Sequence, residues 1–125
     1  MAQKAEIKVD KSVVFDSKLE ANVKKSAKSA AESAAAEKFD EKYVIKLTPT
    51  LKLDAKTKEI IATCSWQIFA GGGSMLFARL KQARQATARA TVNPDKITQG
   101  NLDDTIGAVA EIEVKAIMKA LKGLK

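Results

Sequence analysis

The sequence predicts a single α+β domain, residues 1–125, in the order β-α-β-β-β-α, an antiparallel meander packed on one face by two helices. Three observations predict it. Between Tyr43 and Ala70 apolar residues recur with a period of two, the signature of half-buried strands. Leu19, Val23, Ala27, Ala30 and Ala34 recur every three to four residues, as do Ile106, Val109, Ala110, Val114, Ile117, Leu121 and Leu124. Those spacings draw an apolar stripe along a helix.

The first strand lies within Ala5–Phe15, where Ile7 and Val9 alternate with Glu6, Lys8 and Asp10, and Val13-Val14-Phe15 follows a break near Lys11-Ser12. Ser17-Lys18-Leu19-Glu20 fits a capping box, so a helix is expected from there to about Lys38. Its Ala, Lys and Glu content favours helix, although an Ala/Ser linker is the alternative. The next strand carries Tyr43, Ile45, Leu47, Leu51 and Leu53 on one face and Lys46, Thr48, Thr50 and Lys52 on the other. Pro49 removes a ladder donor, which calls for an edge or a bulge. Asp54–Lys58 reads as the hairpin turn. Ile60, Ala62, Cys64, Trp66, Ile68 and Ala70 then share a face, against Glu59, Thr63, Ser65 and Gln67. After Gly71-Gly72-Gly73, residues Ser74–Val92 fit a bulged strand hairpinned onto the previous one, with a helix as the alternative. Asn93-Pro94 ends that element, Ile97–Gly100 reads as loop, and Asn101 or Asp103 is placed at the cap of the last helix.

With 125 residues, 46% apolar and 30% charged, the chain suits one globular core, burying about two-thirds of its unfolded surface without a disulfide or metal. No run approaches a membrane span, and the opening MAQKAEIKVD has no apolar secretory core. A cytoplasmic protein is expected. The chain has no histidine, which removes the commonest general base and metal ligand. Cys64 is the single cysteine, in phase with Trp66 and Ile68, and reads as a buried small apolar residue rather than a nucleophile. Gly71-Gly72-Gly73-Ser74 lacks the lysine of a phosphate loop. Asp40-Glu41, Asp103-Asp104 and Glu111 with Glu113 read as turn, cap and solvated helix face. No cofactor, no metal and no enzymatic activity are expected.

Charge is the informative feature. The net charge is +7, and residues 42–92 carry all of it, with nine Lys/Arg against Asp54 and Glu59. On the strand reading, Lys46, Lys52, Arg79, Lys81 and Arg89 project from the face opposite the helices, beside Arg84 and interleaved with Thr48, Thr50, Thr63, Ser65, Thr87 and Thr91. Cations and hydroxyls together suit phosphate oxygens. Tyr43, Trp66, Phe15 and Phe39 are assigned to the core, so few aromatics remain to stack bases. The order of elements resembles that of ribosome hibernation factors, β-α-β-β-β-α with a basic surface, and of double-stranded RNA-binding domains, α-β-β-β-α. The likeness lies in that order alone. No signature motif of either is present, and no family is assigned.

Two functions are therefore expected, in this order. The first is a non-enzymatic protein whose basic face, Lys46, Lys52, Arg79, Lys81, Arg84 and Arg89, contacts the backbone of a nucleic acid such as structured RNA. The second is an assembly protein, either bound to an acidic protein partner or a homo-oligomer joined through exposed sheet edges.

Overall fold

The structure is a computed structural model and describes residues 2–70 and 85–123. Its elements run β1 (Gln3–Lys4), β2 (Glu6–Lys8), β3 (Val13–Val14), a short 3-10 turn (Ser17–Leu19), α1 (Glu20–Ala34), β4 (Lys38–Phe39), β5 (Val44–Asp54), β6 (Glu59–Phe69), β7 (Thr87–Thr91), α2 (Gln99–Leu102) and α3 (Ala108–Lys122). A π-helical turn, Asp103–Gly107, joins α2 to α3, so one helical rod runs from Gln99 to Lys122. The main sheet has the order β2-β5-β6-β7, with β3 also on β5, and β1 pairs with β4 in a separate ladder. This is the predicted α+β fold with its antiparallel meander β5-β6-β7.

The period of two decides the hairpin. On the inner face Ile45 lies opposite Ile68, Leu47 opposite Trp66, Leu51 opposite Ala62 and Leu53 opposite Ile60. Such apolar cross-strand pairs hold the register, because a slip of one residue would expose every one of them. At the turn, the Asp54 carboxylate accepts from the backbone N–H groups of Lys56 (3.0 Å) and Thr57 (3.4 Å). Lys58 closes the turn in the left-handed region at φ 55°.

The first strand is broken where the sequence suggested. β2 and β3 both run parallel to β5, but Lys8 to Val13 spans five residues while their partners Lys46 and Thr50 are four apart. The extra residue is a bulge, and it switches the strand's phase. Ile7 faces inward with Ile45, whereas past the bulge Val14 lies in register with inward-facing Leu51. Val13 and Phe15 are left 57% and 40% exposed. Phe15 is therefore not the core residue the sequence predicted. The bulge also accounts for Pro49. β5 is an interior strand, and Pro49 falls in the stretch 47–49 that has no strand partner on the bulge side among the described residues.

Both helices cover the inner face. From α1, Val23, Ser26, Ala27 and Ala31 are buried. From the last rod, Leu102, Ile106, Val109, Ala110, Val114, Ile117, Met118 and Leu121 are buried. The caps differ from expectation. Asp16, not Ser17, accepts from Lys18 N–H at the start of the 3-10 turn, and α1 ends at Ala34 rather than Lys38. Thr98 caps the last rod, with Asn101 returning the bond to the Thr98 N–H, so helix begins at Gln99 inside the expected loop. A threonine followed three residues later by a polar side chain satisfies two orphan donors at once. Thr87–Thr91 is the expected strand. The rest of the strand-or-helix alternative, with Gly71–Gly73, Arg79, Lys81 and Arg84, lies outside the described residues.

Candidate functional site

The outer face of the sheet is set by the same period of two that buries the inner one. Successive side chains point to opposite sides, so burial of Ile45, Leu47 and Leu51 places Lys46, Thr48, Thr50 and Lys52 outside. Registration then aligns rows across the meander. Lys8, Lys46 and Gln67 form one row, Thr50, Thr63 and Thr87 another, and Lys52, Ile61 and Arg89 a third. Lys52 and Arg89 are exposed and Lys46 is partly so. Among the described residues none of these three has an ion-pair partner, whereas Lys8 sits 3.7 Å from Glu6. Three of the six predicted basic residues thus share a face. Arg79, Lys81 and Arg84 are outside the described residues.

Apolar groups interrupt this face: Val13 in register with Thr50 and Val44 opposite Phe69 stand on it, and two more in β6 were not anticipated there. Ile61 lies between Lys52 and Arg89, and Phe69 sits on the outer phase with the Lys46 ammonium 5.2 Å from its ring centroid. Their odd numbers in β6 were the available signal. A cation over an aromatic face gains about 0.5–1 kcal/mol at an exposed site. It holds the lysine over the sheet without neutralising it. At the hairpin end, Asp54 is opposite Glu59, but Asp54 already accepts from the turn.

A second polar cluster lies inside. Glu113 is buried, and its carboxylate accepts from Trp66 Nε1–H (2.9 Å) and from the Ala86 backbone N–H (2.8 Å). The solvated-face assignment of Glu113 is thereby corrected. It stands four residues from both Val109 and Ile117, so helical spacing put it on the apolar stripe all along. Ser26, another residue with no role assigned from sequence, is buried and donates to Asp103 at 2.6 Å across the two helical rods. Both clusters satisfy buried groups and tie elements together, and neither opens onto the outer face.

Cys64 is fully buried on β6, as expected. Burial pushes its thiol up to about 12 from 9.0, and the charge of Glu113 adds to the rise against a lowering hydrogen bond with the Thr48 backbone. A thiolate is the reactive form, so iodoacetamide should label the native protein no faster than it unfolds. Labelling in minutes at pH 8 under native conditions would contradict the burial. The sign for stability follows. The folded state keeps its proton where the unfolded chain loses one, so this contribution is intact below about pH 9 and falls as the pH rises toward about 12.

Among the described residues no group of His, Cys, Asp and Glu could hold a metal ion, and no helix is long and apolar enough to cross a membrane.

No protein-family profile matches the sequence, and no curated protein sequence matches it. Among solved structures the chain is similar to the Protein Y N-terminal domain of Thermus thermophilus, at 13% identity and a TM-score of 0.41, over 88% of this chain and 98% of that one. It is also similar to a minor lipoprotein of Acinetobacter baumannii, at 13% identity and a TM-score of 0.40, over 93% of this chain and 90% of that one.

Proposed function

We propose that this is a non-enzymatic cytoplasmic binding protein whose outer sheet face contacts the phosphate backbone of a nucleic acid, including structured RNA. One observation carries the reading. Lys46, Lys52 and Arg89 stand on one helix-free face without ion-pair partners among the described residues, interleaved with threonine and serine hydroxyls. Cations left unneutralised by their own protein attract phosphates, and neighbouring hydroxyls orient them. The excess of positive charge in residues 42–92 adds Arg79, Lys81 and Arg84 to the same stretch of chain. Contacts of this kind position a strand without reading its sequence. The Phe69 ring on this face is already engaged by Lys46, while Phe15, 40% exposed, follows inward-facing Val14 on the outward phase of β3.

Gel retardation with single-stranded and duplex RNA tests the reading. Binding should appear at about 50 mM salt and weaken steeply, with log affinity falling by about 0.7–0.9 for each tenfold rise in salt per phosphate neutralised. No retardation of either RNA or DNA at low salt would overturn it.

Exposed Val13 and Phe15 beside the short edge strand β3 favour the second reading, assembly through a sheet edge with a second copy or an acidic protein. Size in solution separates the two, since the first reading requires no self-association.

A further inference from the structure

The bulge between β2 and β3 opens a small cavity on the outer face. It has a volume of about 150 Å³ and is lined by Asp10, Lys11, Lys46, Leu47, Thr48 and Gln67. We infer that this bulge cavity seats one phosphate group, with Lys11 and Lys46 as its cations and Thr48 and Gln67 as neutral hydrogen-bond donors. The biological source is a phosphodiester of the bound strand, so in that respect the inference rests on the reading above.

Four observations converge. First, the volume is ample for a tetrahedral oxyanion. Second, the lining combines two ammonium groups, a hydroxyl and a side-chain amide, the donor types that protein sites offer to phosphate oxygens. Third, Lys8 and Lys46 are direct partners in adjacent strands, a like-charge pairing that is unfavourable unless a counter-ion relieves it. Lys8 leans on Glu6, but among the described residues Lys46 has no carboxylate partner. Fourth, the bulge itself is unfinished. β5 residues 47–49 have no strand partner on that side among the described residues, and two of them, Leu47 and Thr48, line the cavity.

Asp10 runs against this charge and makes the inference testable by sign. It offsets one of the two lysines, so its removal should strengthen anion binding, which a merely structural aspartate would not do.

The test is amide NMR of the full chain titrated with inorganic phosphate at constant ionic strength. Phosphate should shift the amides of Lys11, Lys46, Thr48 and Gln67. Lys11→Gln and Lys46→Gln should each weaken binding by about fivefold, Asp10→Asn should tighten it by a similar factor, and Lys56→Gln in the hairpin turn should change nothing. Shifts spread over all lysine-bearing segments, or an Asp10→Asn variant that binds no better, would overturn the site. A decanucleotide RNA provides the second arm. If it moves the same amides and phosphate competes with it, the phosphodiester source stands. If phosphate binds the cavity and the RNA binds nowhere, the cavity stands as a free-phosphate site and the nucleic-acid reading falls. If the RNA binds the face while phosphate leaves the cavity unmoved, the cavity falls and the nucleic-acid reading survives.

Discussion

Replacing Trp66 with alanine is expected to lower the unfolding free energy by about 3–5 kcal/mol, the usual cost of emptying a large buried aromatic site. Trp66 is 8% exposed, faces Leu47 across the hairpin and donates its indole N–H to buried Glu113. The substitution therefore opens a cavity under the helices and removes a donor from a buried carboxylate. Trp66→Phe separates the two effects. It keeps most of the ring volume and loses only the donor, so about 1–3 kcal/mol is expected for the buried acceptor left short of a bond. Denaturant titration measures both, and native emission should be blue-shifted. A Trp66→Ala loss below about 1 kcal/mol, or red-shifted, readily quenched native fluorescence, would mean that the inner and outer faces of the sheet had been exchanged.

The largest functional effect is expected from the triple variant Lys46→Glu, Lys52→Glu, Arg89→Glu. All three side chains point away from the helices, so the fold should survive with unchanged circular dichroism and a similar denaturation midpoint. Nucleic-acid affinity should fall by at least about a hundredfold at 50 mM salt, and the salt slope should shrink by about 2–3, near one for each lost phosphate contact. The matched control is Lys18→Glu, Lys24→Glu, Lys28→Glu on the helical side of the molecule. It makes the same change in net charge and should cost much less. Equal losses from the two triples would show that binding follows total charge and not this face. Retained binding in the outer-face triple would move the interface elsewhere.

Much of the sheet was legible because its information is local. Alternation from Tyr43 to Ala70 names the buried residues of β5 and β6, and Asp54 marks the turn between them. The same pattern names Lys46 and Lys52 as outward-facing, since a residue's face follows from its neighbours' burial, whereas Arg89 joined them only on the strand alternative for Ser74–Val92. Ser17 and Asp103 were misplaced as caps for a different reason. Several capping residues lie within two or three positions of each helix start, and local sequence ranks them poorly. Asp16 and Thr98 win through backbone geometry, each adopting the extended conformation that a cap requires.

What the amino-acid sequence by itself determined is therefore the element order, the two-faced sheet and the concentration of positive charge in residues 42–92. These depend on periodicity and composition, which each segment carries alone. Only the tertiary structure decided that β2 and β3 share one parallel partner across a bulge, that Pro49 lies inside the sheet, and that Phe15 is partly exposed. It alone decided that Glu113 is a buried acceptor for Trp66 and Ala86, and that Ser26 bonds Asp103 between the helices. Each of these is a pairing between residues distant in the chain. A glutamate on an apolar stripe stays buried only where donors from other elements meet it, because an unpartnered buried charge is too costly to keep. Those donors lie 47 and 27 residues away along the chain, and no local pattern announces them.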